Sequence, residues 1–173
     1  HLKYYKKDPA SVVEKKEKQL QKELKKIDTK KVRDVNACSI APQTYSSDTK
    51  SSSHELFQLG FVFLPGMEDH IKLVDGENMT TSYQDDDTVK VLVSQSAFQK
   101  SKLILGEHLT FAKLVNSKKE HITFEIAGVF EAEDPKDTFW CDSPDSYSKY
   151  CFVSEDVFYK ICTLLGDSEN AGI

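Results

Sequence analysis

Apolar and polar positions change rhythm several times along the chain, and each rhythm predicts an element. Asp8 followed by Pro9 is a helix start, because the carboxylate can accept a first-turn amide and the proline ring is already set to a helical φ. Beyond it Val13, Leu20, Leu24 and Ile27 recur at helical spacing among Lys and Glu, which predicts a helix over 9–27 with one narrow apolar stripe. An ordinary surface helix accounts for that stripe; so does a stalk rising from a preceding membrane segment. Residues 32–41 read as a strand, the Ser/Thr-rich stretch 42–53 as a connection, and 54–64 as a buried strand stopped by Pro65-Gly66. A short extended segment at 71–74, a turn at Asp85–Asp87 and a strand at 89–93 follow.

The most informative pattern is an internal echo at a separation of sixty residues. VSQSAFQK, starting at Val93, leads to Leu105-Gly106, and VSEDVFYK, starting at Val153, leads to Leu165-Gly166. In each copy a strand residue precedes a serine placed to cap a helix, a phenylalanine (Phe98, Phe158) expected to be buried, and a glycine that ends the turn. Between the copies lies a predicted hairpin, 106–114 returning as 121–130, where Ile122, Phe124, Ile126 and Gly128 alternate with Thr123, Glu125, Ala127 and Val129. Strand-helix units around a hairpin predict an α+β fold, a mixed sheet with an N-terminal stalk-like helix. Three regions are expected: a membrane-proximal basic helix at 1–31, strands and a Ser/Thr-rich connection at 32–70, and a core lobe at 71–173.

Length and charge narrow the picture further. At 173 residues and 39% hydrophobic content the chain can bury one core, with 10 Phe and 7 Tyr giving it an aromatic character. Residues 1–31 hold eleven Lys against five acids, while the remainder holds twelve basic against twenty-three acidic residues. Lysines interleaved with Glu, on an acidic body, argue against a nucleic-acid partner. The strongest apolar run, from Leu59 to Leu64, is far below the roughly 18 residues that cross a bilayer. The opening at His1 and the close at Ile173 read as the ends of a segment cut from a longer protein.

No catalytic or cofactor motif emerges. Ser94 and Ser154 lack the flanking glycines of a nucleophile elbow, and helix capping explains both. His1, His54, His70, His108 and His121 are dispersed without metal-site spacing, and no phosphate-binding glycine loop occurs, so neither a metal nor a nucleotide cofactor is expected. Glu131, Glu133 and Asp134 beside Pro135 read as a solvated loop rather than as acid/base groups. Asp85–Asp87 lacks the spacing and central glycine of a calcium loop. Cys38, Cys141, Cys151 and Cys162 form no zinc pattern; Cys141 and Cys151 bracket a short polar loop that a disulfide could close, and free thiols are the alternative. Phe139, Trp140, Tyr147 and Tyr150 are candidate partner contacts, because aromatic residues in a polar, Pro-containing loop are an unusual use of apolar surface; folding back on the core is the other reading.

Four strings, in this order, resemble the extracytoplasmic core of MacB-like, FtsX-type transporter permeases: IKLVDGE from Ile71, VLVSQSAFQKSKLILGEHLTF from Val91, ITFEIAGVFE from Ile122, and YCFVSEDVFYKI from Tyr150, the last like an element of Gram-positive members. The resemblance implies a non-catalytic domain on the outer face of a bacterial membrane, binding a substrate or partner and moving with ATP hydrolysis elsewhere. It implies a separate cytoplasmic ATPase, a second permease copy and an exported substrate as partners. An extracellular adhesion or sensor module is the alternative, and a hydrolase a third.

Overall fold

The computed structural model describes residues 8–27, 38–48, 58–85, 88–140 and 144–171. The elements are α1 (Pro9–Leu24), β1 (Cys38–Ser47), β2 (Gln58–Phe63), β3 (Ile71–Gly76), β4 (Val89–Ser94), α2 (Gln95–Lys100), β5 (His108–Val115), β6 (His121–Ala132), β7 (Tyr150–Phe152) and α3 (Glu155–Ala171). Both helices after the echoed serines start where predicted, with Ala97 N–H donating to Ser94 Oγ at 3.1 Å and Val157 N–H to Ser154 Oγ at 3.5 Å. The hairpin is β5 and β6.

The expected α+β class is corrected. Six strands close on themselves in the circuit β6-β4-β7-β2-β1-β5 and back to β6, a barrel, with β3 appended to β6 outside the circuit. Within it β4–β6 and β2–β7 are parallel and the other four pairs antiparallel. Nor is the N-terminal helix a stalk on an α+β lobe: its first turns lie beside α3 and the end of β2, around a cleft lined by Ala10, Val13, Phe63, Pro65, Glu155 and Tyr159. One local reading explains much of the error. The stretch 42–53 was expected to be a connection, yet β1 runs on to Ser47, because Pro42 falls in the irregularity between Ile40 and Gln43 where the ladder needs no donor from it. The strand then leaves β2 and pairs its last three residues with β5, Tyr45 opposite Phe111, which closes the barrel.

β6 makes the closure possible by its length. Its first part, from His121 to Glu125, pairs with β5, and its last part, from Gly128 to Ala132, pairs with β3 on the same edge. Strand alternation sorts the side chains into two clusters. Phe61, Phe111 and Phe124 meet in the larger one with ring centroids 4.7, 5.0 and 5.2 Å apart, joined by Val91, Ile126 and Cys151 and covered by Val157, Phe158 and Ile161 of α3. Leu92, Phe130, Phe152 and Val62, the alternate positions of the same strands, form the smaller cluster with Met67 and Trp140. Gly60 lies where β1, β2 and β7 crowd together: a Cβ there would stand 2.6 Å from the Ile40 carbonyl oxygen and 2.7 Å from the Tyr150 ring, so only glycine fits. Of the echoed phenylalanines, Phe158 is buried as expected, whereas Phe98 is only partly buried.

Candidate interaction surface

α1 begins as its sequence requires. Asp8 Oδ1 accepts the Ser11 N–H at 3.1 Å, Pro9 occupies the first turn, and Glu23 pairs with Lys26 at 2.7 Å. No side chain of the helix is buried. Its inner end touches α3, but Leu20, Leu24 and Ile27 stay 57%, 43% and 57% exposed, an uncommon disposition for three large aliphatic groups in one row. Ala10, Val13, Glu17, Leu20, Leu24 and Ile27 follow one another at alternating steps of three and four, the spacing of a helix-pairing seam, with Glu17 its only charged member.

The four aromatics proposed as contacts fold toward the smaller cluster. Trp140 is 4% exposed and stacks on Phe130 at 6.3 Å; Phe139 and Tyr147 meet its edges at 5.2 and 6.2 Å, and Tyr150 follows Tyr147 at 6.4 Å. Trp140 Nε1 is buried and has no hydrogen-bond partner among the described residues. The other face of Phe139 lies on His70, with ring centroids 3.9 Å apart, and His70 Nδ1 is 2.6 Å from Asp137 Oδ2. The Phe139 amide donates to the same carboxylate at 2.8 Å; that bond, then the one to His70, holds Asp137 below the usual carboxylate range. Cys141 lies outside the described residues, and the proposed bridge falls there with it. Cys151 is a buried thiol, pushed up to about 12 by burial.

No family model matches the chain, and no curated protein matches it.

Other polar groups close turns or pair near the surface. Asp134 closes its own turn by accepting the Lys136 N–H at 2.9 Å, and Glu131 lies 3.6 Å from Lys72 on the surface. Asp85 accepts from the Tyr83 hydroxyl at 3.1 Å and from Ser117, bonds that lower its pKa, Ser117 first. Among the described residues no group of His, Cys, Asp and Glu is placed to hold a metal ion, and no helix is long and apolar enough to cross a membrane. The sequence reading missed Glu107, a carboxylate only 2% exposed that accepts the Ile104 N–H at 2.8 Å and the Ser47 hydroxyl. Its one sequence signal was its place directly after the turn at Gly106, where a carboxylate can bond back to the loop it ends. Each strand-helix elbow also carries a cleft. The one at Ser94, Gln95, Ser96 and Gln99, also lined by Glu131 and Asp145, measures about 280 Å³; the one at Ser154, Glu155, Asp156 and Tyr159, also lined by Glu68, measures about 710 Å³, and both carry acidic groups. Asp156 in the second is already bonded to the Tyr83 amide at 2.8 Å.

Proposed function

We propose that the chain is a non-catalytic binding domain that receives a partner's helix on the seam of α1. The observation that carries this reading is the exposed pair Leu20 and Leu24 on a heptad-spaced helix, followed by exposed Ile27 in the turn just past its end. A helix of this length is marginal in water without tertiary packing, and α1 has only its first turns against the body, where Pro9, Ala10, Val12 and Val13 are half-buried, while Leu20 and Leu24 are left uncovered. A second helix laid along the seam supplies that packing. Full burial of a large aliphatic side chain contributes about 1.5–3 kcal/mol, and these three have about half of that left to gain. With the apolar groups of the partner they supply a modest driving force against the cost of association, and the complex expected is weak. Glu17, between Val13 and Leu20 in the seam, selects a helix carrying Lys or Arg opposite it. The permease resemblance carried an α+β lobe with it, and with the barrel in its place that reading rests on short sequence strings alone.

The test uses a labelled amphipathic peptide with leucines at both seam positions and one lysine placed to meet Glu17, titrated by fluorescence anisotropy. Saturable binding below about 1 mM peptide is expected with the intact chain, and loss of binding with Leu20→Lys/Leu24→Lys at an unchanged unfolding midpoint. Glu17→Lys should reverse the preference between a lysine-bearing and a glutamate-bearing peptide. No binding to the wild-type chain at about 1 mM peptide would overturn the proposal.

A further inference from the structure

β3 is where the sheet ends. Six strands close on one another, β3 has β6 on one side, and among the described residues no strand pairs with its other side. Such an edge is a template for another strand. Its two ends fix which peptide groups face outward. The Glu133 N–H donates to the His70 carbonyl at 3.0 Å and the Glu77 N–H to the Ala127 carbonyl at 2.8 Å, so both are hydrogen-bonded pairs. Such pairs alternate along an antiparallel ladder, which makes Lys72 with Glu131 and Asp75 with Val129 pairs of the same kind. Leu73 stands opposite Phe130, and Val74 is the extra residue where the register shifts, a bulge. The Ile71 N–H and C=O, the Leu73 N–H, and the Val74 and Gly76 C=O are thereby turned away from β6. The Leu73–Val74 pair thus offers one donor and one acceptor, as a single residue would, and the Gly76 N–H is taken by Asp75 Oδ1 at 2.8 Å.

That bulge decides how the strand can meet a copy of itself. In a regular strand the outward groups alternate strictly, so two copies related by a two-fold axis must place one residue opposite its own twin. The bulge shifts the alternation by one, and a different register becomes allowed: Leu73 against Val74 of the second copy, and Ile71 against its Gly76. In that register Lys72 of each copy stands opposite Asp75 of the other. Leu73 and Val74, 37% and 45% exposed, lie at the centre and cover each other. Lys72 and Asp75 are exposed; Lys72 lies 3.6 Å from Glu131, and Asp75 accepts the Gly76 N–H through Oδ1. Opposite charges directly across an antiparallel pair stabilise it, and like charges there oppose it.

We infer that two copies of this chain join edge to edge through β3, in the register that sets Lys72 against Asp75 twice. Sedimentation equilibrium of the 173-residue chain reads the result, with circular dichroism checking that each variant is folded. The wild-type chain should dimerise below about 100 μM. Lys72→Asp places acid against acid at both pairs and Asp75→Lys places lysine against lysine, so each single variant should dimerise at least roughly tenfold more weakly. Mixing the two single variants should restore a dimer, one chain of each kind, because every pair is then of opposite sign. The double variant K72D/D75K should dimerise like the wild type. A wild-type chain that is monomeric at several hundred micromolar, a dimer indifferent to the single swaps, or folded single variants that fail to pair on mixing would overturn the inference.

Discussion

Leu92 and Phe152 face each other across the antiparallel strands β4 and β7, and they are separated by sixty residues, the period of the sequence echo. Two equivalent positions can pair directly only if a local two-fold axis passes between them. The rest of the barrel follows the same axis. β4 pairs in parallel with β6 and β7 with β2, while β6 and β2 are each antiparallel to a hairpin mate, β5 and β1, which then pair with one another. With α1 and β3 set apart, each half is an antiparallel pair followed by a strand and a helix, and each half inserts its strand beside the other half's pair.

The equivalence is not equal in energy, and truncation should show it. Phe158 is 4% exposed and packs between Phe63 and Tyr159, with centroids 6.4 and 5.9 Å away. Phe158→Ala is expected to cost about 3–5 kcal/mol in urea denaturation. Phe98, only partly buried at the equivalent position, should cost about half as much. Equal losses at both sites would mean that α2 is held against the sheet as firmly as α3.

Lowering the pH should loosen the loop that carries Phe139 and Trp140. Asp137 titrates below the usual carboxylate range because the Phe139 amide and His70 stabilise its charged form. A carboxyl group whose folded pKa lies below its unfolded value contributes stability above the unfolded value, and that contribution is lost as pH falls through the folded one. Near-UV circular dichroism of Trp140, the only tryptophan, should therefore change at acid pH before the barrel unfolds. Asp137→Asn should remove this step while leaving the signal near neutral pH close to that of the wild type.

Cys151 should be inert while the chain is folded. Its thiol is fully buried in the larger cluster and pushed up to about 12, so almost no thiolate exists near neutral pH. Mass spectrometry after iodoacetamide treatment at about pH 8 should find it unmodified in the native chain and alkylated in denaturant. Labelling in the native state at the rate of a model thiol would show that the pairing of β2, β4 and β7 around it opens readily.

Several features were legible in the chain because their causes are local. A carboxylate and a proline start α1, a serine three residues before the amide it binds starts α2 and α3, and alternation over a few residues marks β5 and β6. The echo was legible for the same reason, as two copies of one local signal. The candidate site was less so. The seam of α1 could be read from spacing, but whether a neighbour covered it could not, and the loop aromatics could be read as contacts or as core until Trp140 was placed on Phe130.

What the sequence by itself determined, then, were most of the elements and the starts of the capped helices, since capping and periodicity act within about one turn or a few strand residues. The tertiary structure decided which strands are neighbours. Tyr45 pairs with Phe111 and Val62 with Phe152 across long stretches of chain, and no periodicity names those partners. They are selected because burying both faces of β2, β4 and β7 at once requires the two halves to exchange strands, and a closed circuit leaves, among the described residues, no edge except that of β3. The same closure turned a stretch that reads as a loop into the second half of β1, because there the gain from completing the barrel outweighs the local preference of Pro42 and its neighbours for a turn.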